Sequence, residues 1–148
     1  MRSDKDNLIV NLTFDFAIEI IKCSKILQQS HDYALSNQLL RAGISIGANV
    51  REAQNAESKA DFIHKMKIAA KEADEVEYYL SLIQHSEDLP TIDLPITQIQ
   101  SIIKIISKII SSSKSKLMLY HFQITKSSFN DMLTIFKSLN LQIIKSTC

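Results

Sequence analysis

Apolar side chains return along this chain at intervals of three and four residues in four successive stretches, the pattern of helices that each turn one face to a core. In the first, about Leu8 to Gln29, Leu12, Phe16, Ile20 and Leu27 fall on one side, with Ala17, Ile21 and Ser24 beside them. It reads as an ordinary amphipathic helix. Ser30-His-Asp-Tyr33 is polar and turn-like, and Ser36 is expected to cap a second helix reaching about Ala56.

The second helix is patterned differently. At about 100° per residue, Gln38, Arg41, Ser45, Asn49 and Glu52 make one narrow polar stripe. Leu39, Leu40, Ala42, Ile44, Ile46, Val50 and Ala53 spread over roughly 200° of the remainder, more than one core-facing stripe requires, so neighbours are expected on two sides. Gly43 and Gly47, the only glycines in the chain, lie one turn apart here, each costing about 1 kcal/mol against alanine. A bare groove admitting another helix closely would offset that cost; a tolerated bend is the alternative. The polar stripe is read as a solvated surface, with the lining of a central channel in an oligomer as the other reading.

Ser58-Lys-Ala-Asp61 resembles a capping box and opens a third helix to about Ser86. Its core seam is Phe62, Met66, Ala69, Ala73, Val76, Leu80 and Ile83, with Ile63 and Ala70 on the flank. Ile68, Tyr79 and Leu82 gather on the far side, where a solitary bundle leaves them wet, and are assigned to a subunit interface against the alternative of scattered surface apolar residues. Both prolines fall in Leu89-Pro-Thr-Ile-Asp-Leu-Pro95, a loop. In the fourth helix Ile96, Ile99, Ile102, Ile103, Ile106, Ile109 and Ile110 fill one half, facing Ser101, Lys104, Lys108 and Ser112 on the other. Short connections between long helices predict an all-α, antiparallel up-and-down four-helix bundle over residues 1–115. In the extension, residues 116–148, Phe129, Met132, Leu133, Phe136, Leu139 and Ile143 keep helical spacing, but the preceding Ser111-Ser-Ser-Lys-Ser-Lys116 is linker-like; a fifth helix and a loose tail both remain open.

Composition agrees with helices: two glycines and two prolines in 148 residues leave little turn material for a β fold. The charged start, the lysines breaking the isoleucine-rich stretch, and two cysteines without metal-ligand spacing favour a soluble, reduced, cytoplasmic protein with no membrane partner. A net charge of +1 conceals a division, since residues 1–97 hold 10 basic against 15 acidic side chains and the remainder 7 against 1, or −5 and +6. The basic part either pairs with acidic helices or attracts an anionic partner.

Catalytic constellations are missing. A di-iron bundle needs a Glu from each of two helices and Glu-x-x-His from the other two, yet Asp61-x-x-His64 is the only related spacing and the fourth helix has no carboxylate. His31, His64, His85 and His121 are scattered, and no Gly-rich phosphate loop, His-Glu-x-x-His or Cys-x-x-Cys occurs. No enzymatic activity, metal or cofactor is expected.

The run Ser36-Asn-Gln-Leu-Leu-Arg-Ala-Gly-Ile-Ser-Ile-Gly-Ala-Asn-Val-Arg-Glu-Ala53, with Ala56-Glu-Ser-Lys-Ala-Asp-Phe-Ile-His-Lys65 and Ile68-Ala-Ala-Lys-Glu-Ala73, resembles the four helix bundle protein family. That family includes proteins encoded in intervening sequences of bacterial large-subunit ribosomal RNA genes. The resemblance spans about residues 8–115 and implies a left-handed bundle assembling into a ring-like homopentamer. It also implies a distant similarity to the accessory variability-determinant protein of diversity-generating retroelements, a basic pentamer binding a reverse transcriptase and nucleic acid. This chain is much less basic.

Two functions follow as expectations: an assembly module that binds RNA or DNA weakly without reading sequence, or a scaffold that binds only protein. For nucleic acid the candidates are Lys104, Lys108, Lys114 and Lys116 with Arg41 and Arg51, since lysines neutralise phosphates without identifying bases. Aromatic stacking partners are lacking beside these residues, apart from Tyr120 and Phe122 in the extension.

Overall fold

The computed structural model describes residues 7–115 and Met118. Helices α1 (Leu8–Gln29), α2 (Tyr33–Ala53) and α3 (Lys59–His85) are followed by α4 over residues 96–115, and no strand occurs among the described residues. The chain divides between Ser112 and Ser113, and the packing described here belongs to the part ending at Ser112. The proposed fifth helix lies outside the described residues, as does Lys116.

Each connection has a local cause. At the end of α1, His31 takes φ 65°, the Asp32 amide donates to the Leu27 carbonyl at 2.9 Å, and the His31 amide donates to that of Gln28 at 3.1 Å. This is a Schellman closure with histidine where glycine is usual, so a left-handed backbone is held against its side chain's preference. The second helix starts at Tyr33 with Asp32 in the capping position, earlier than expected. Ser36 is not its cap: it lies one turn inside, fully buried against Ser24 of α1. At α3, Ser58 Oγ accepts from the Asp61 amide at 3.1 Å while Asp61 Oδ2 accepts from the Glu57 amide at 3.2 Å, so the capping box forms with its return bond reaching one residue further back.

The helices alternate in direction. Ser24 meets Ser36, Gly43 faces Ile20, Gly47 faces Thr13, and Asn7 donates to Gln54 at 2.9 Å, so α2 runs back along α1. Arg41 bridges to Glu75 and Glu52 to Lys65, reversing α3 against α2. Ile83 and Gln84 lie with Ile96, while Asp74 and Glu77 lie with Gln100, which reverses α4 against α3. Leu12 and Asp15 flank Thr97 and Ser101, closing the square. An all-α up-and-down bundle results.

Phe16, Ile20 and Leu27, Leu39, Ile46 and Val50, Met66, Val76 and Leu80, and Ile99, Ile102 and Ile106 meet in one core from four helices. Burial of each such side chain contributes about 1.5–3 kcal/mol. The α3 seam starts one position later than its spacing predicted, with Ile63 buried and Phe62 only half-buried. Leu89, Ile92 and Leu94 of the proline loop pack against the core, which anchors this connection.

Candidate functional site

The two glycines mark where α1 and α2 come closest. A Cβ on Gly43 would stand 2.6 Å from Ile20 Cγ2, and one on Gly47 would stand 3.4 Å from the Thr13 carbonyl oxygen. The neighbour that the bare stripe admits is therefore α1 of the same chain. Because the backbones approach here, side chains flanking the seam are pushed outward. Phe14, Ile18 and Ile21 of α1 and Ile44 and Ala48 of α2 line an open apolar furrow of about 400 Å³, with Arg51 at its rim. Phe14 remains 59% exposed. Phe14 and Ile18 belong to a second apolar stripe on α1 that the reading of an ordinary amphipathic helix missed, and Ile21, expected beside the core face, is exposed on this stripe instead.

The proposed α3 patch is divided by the structure. Tyr79 packs against the core and its hydroxyl donates to Glu75 Oε1 at 2.8 Å, Ile68 is half-buried, and Leu82 is exposed. Beside Leu82 the large exposed side chain is Tyr78, at 60%.

The polar stripe of α2 faces the edge of α3. Arg41 Nη2 reaches Glu75 Oε1 at 2.6 Å, Arg41 Nη1 lies 3.5 Å from Glu72 Oε2, and Lys65 Nζ meets Glu52 Oε2 at 2.6 Å. The hydrogen bond to Glu75, followed by burial, raises the Tyr79 phenol above its ordinary pKa, and the bond to Glu52 does the same for the Lys65 ammonium. Arg41 is thus engaged by α3 carboxylates.

The candidate cations do not converge. Arg41 lies at the α2/α3 edge, Arg51 at the α1/α2 furrow, and Lys104 and Lys108 on the exposed side of α4, while Lys114 is exposed near the end of that helix. None of the ion pairs among the described residues engages Lys104 or Lys108. From Thr97 to Ser112 the other exposed positions of α4 are Thr97, Gln98, Gln100, Ser101, Ser107, Ser111 and Ser112; residues 94–115 contain no carboxylate, and the carboxylates nearest this helix, Asp15 beside Ser101 and Asp74 and Glu77 beside Gln100, lie toward its start. This surface supplies positive charge and hydroxyls, suited to phosphate oxygens and lacking the aromatic faces that grip bases. Among the described residues no group of three His, Cys, Asp or Glu side chains is placed to hold a metal, and no described helix is long and apolar enough to cross a membrane.

Comparison with curated proteins returns no match. A solved structure from Bacteroides thetaiotaomicron, described as a protein of unknown function from the S23 ribosomal protein family, is 38% identical, with 73% of this chain and 96% of that chain covered and a TM-score of 0.55. The family model of the 23S rRNA-intervening sequence proteins matches residues 5–112, which takes in the whole four-helix core, and the chain belongs to that family.

Proposed function

We propose that this chain is a non-enzymatic, self-associating helical module that holds RNA or DNA weakly and without sequence preference through the outer side of α4. The observation that carries the reading is that Lys104 and Lys108 stand exposed and outside the ion pairs of the described residues, on a helix that itself carries no carboxylate over residues 96–115, although the bundle before them is net acidic. Phosphate contacts from such a surface position a nucleic acid without identifying it. The family's description, 23S rRNA-intervening sequence protein, makes RNA the first ligand to try. Self-association, with a pentamer as the stoichiometry implied by the resemblance, is supported by the furrow containing Phe14, Ile18 and Ile44, since an apolar surface this open is normally covered in a working assembly.

The test is a titration of a mixed RNA pool at low salt. Binding should weaken steeply as salt rises, and Lys104→Glu with Lys108→Glu should lower affinity at least about tenfold. No binding at low salt, or binding indifferent to salt, refutes this reading. A protein-only scaffold is the second reading, favoured by the engagement of Arg41 with Glu72 and Glu75, which removes one candidate phosphate contact. It predicts capture of a partner chain that survives nuclease treatment.

A further inference from the structure

Ser101, Lys104, Lys108 and Ser112 follow one another at helical spacing along the outer side of α4, about 16 Å from first to last, and all four are exposed. The two serines have already spent their protons: Ser101 Oγ donates to the Thr97 carbonyl at 2.8 Å and Ser112 Oγ to the Ile109 carbonyl at 3.0 Å. Each hydroxyl therefore turns only acceptor lone pairs outward, which answer a donor and not a phosphate oxygen, whereas the lysines are donors alone. Between Thr97 and Ser112 no exposed side chain is aromatic and none is arginine. Ile99, Ile102 and Ile106 seat the opposite side of the helix in the core, with α1 and α3 alongside, so the stripe lies flush with its neighbours.

We infer that the nucleic acid this stripe takes is double-stranded RNA, recognised by its shape and its ribose hydroxyls. This rests on the phosphate-binding reading above and names its ligand. Sites that hold single strands without reading sequence grip the bases by stacking, and nothing planar is offered here. The major groove of B-form DNA is about 8.5 Å deep, and a helix walled by neighbours at about 8–10 Å cannot enter it. The minor groove of an A-form duplex is wide and shallow and displays 2′-hydroxyls beside the phosphates. On it Lys104 and Lys108 neutralise phosphates, while Ser101 and Ser112 accept from 2′-hydroxyls, the donor of the RNA backbone that DNA lacks. Asp15 beside Ser101, with Asp74 and Glu77 beside Gln100, repels phosphates from the start of the helix, which leaves Ser101 a neutral donor to accept from.

Fluorescence anisotropy at low salt tests this with three probes: an RNA duplex, the DNA duplex of the same sequence, and one of the RNA strands alone, in a sequence that does not pair with itself. The RNA duplex should bind on the order of tenfold more tightly than either of the others, the difference that two hydrogen bonds supply. Ser101→Ala combined with Ser112→Ala, at exposed helical positions that tolerate alanine, should bring the RNA duplex down to the DNA value and leave DNA affinity unchanged. Lys104→Ala combined with Lys108→Ala should weaken both duplexes alike, which separates charge from hydroxyl recognition. A single strand or a DNA duplex that binds as tightly as the RNA duplex, or an RNA preference untouched by the serine substitutions, overturns the duplex assignment alone. Failure of all three probes to bind overturns the phosphate-binding reading itself.

Discussion

Adding one methyl group at each glycine of α2 should have opposite effects. Either substitution to alanine gains about 1 kcal/mol of helix propensity. At Gly43 the new carbon would sit 2.6 Å from Ile20 Cγ2, 3.0 Å from Cγ1 and 3.1 Å from Cβ. Rotation about χ1 exchanges the γ carbons but leaves Cβ in place, and Ile20 is fully buried, so α1 itself must retreat. Overpacking of this kind costs about 1–3 kcal/mol, and the immobility of Cβ puts it in the upper part of that range. Gly43→Ala should therefore lose about 1–2 kcal/mol net. At Gly47 the nearest atom, the Thr13 carbonyl oxygen at 3.4 Å, is in ordinary contact, so most of the propensity gain should survive. Urea unfolding at one fixed protein concentration, necessary because association shifts the midpoint, should separate the two variants by about 2–3 kcal/mol, with wild type between them. A Gly43→Ala protein as stable as wild type, or a Gly47→Ala protein less stable than Gly43→Ala, would refute the close-approach argument.

His31→Gly should stabilise the fold by about 1 kcal/mol, by removing the left-handed strain at the end of α1; a loss measured in the same unfolding assay would show that the His31–Tyr33 contact matters more. Ser36→Ala should cost about 1–2 kcal/mol, since it removes the 2.8 Å partner of the buried Ser24 hydroxyl and leaves it only the Ser36 carbonyl at 3.5 Å, and Ser24→Ala combined with Ser36→Ala should cost less than the sum of the singles. Arg41→Ala should cost about 1 kcal/mol through the half-buried Glu72, more than Lys22→Ala, whose pair with Glu19 is an exposed contact within one helix. Burial, with Glu19 adding to it, raises the Cys23 thiol pKa, so in a Cys148→Ser background native-state labelling should stay slow through the ordinary thiol range. By linkage the contribution of that thiol to stability is intact below its unfolded pKa and is lost as pH climbs through the raised folded value, and rapid labelling at mildly alkaline pH would contradict this.

Much of the bundle was legible because helical periodicity reports burial directly. The wide apolar arc of α2 correctly called for two neighbours, now seen as α1 and α3, and the Ser58 box marked the start of α3. What failed depended on tertiary context. Ser36 has the chemistry of a cap, but Asp32 stands one turn earlier and Ser24 waits across the seam, so the hydroxyl turned inward. Phe62 and Ile63 are equally apolar, and the rotation of α3 about its axis decided which is buried. The candidate cations were grouped by residue type and helix, whereas Arg41, Arg51 and Lys104 lie on three different sides of the bundle because helix order assigns each face. The stripe of Phe14, Ile18 and Ile21 was readable, yet it became informative only once the glycine seam showed that α2 could not cover it.

The paired serines carry a consequence beyond their contribution to stability. Leucines and isoleucines offer nearly equivalent grooves at every turn, so two greasy helices can slide 5.4 Å along each other and still bury most of their surface. Ser36 Oγ donates to the Ser24 carbonyl at 2.9 Å, leaving Ser24 Oγ, 2.8 Å away, to donate to Ser36 Oγ, and that exchange exists at a single offset. A slipped hairpin would lose that exchange and leave each hydroxyl only the carbonyls of its own helix, as Thr13 uses those of Ile9 and Val10. The pair therefore works as a detent that fixes one alignment among several of similar greasiness, and every residue further along both helices inherits its position from it.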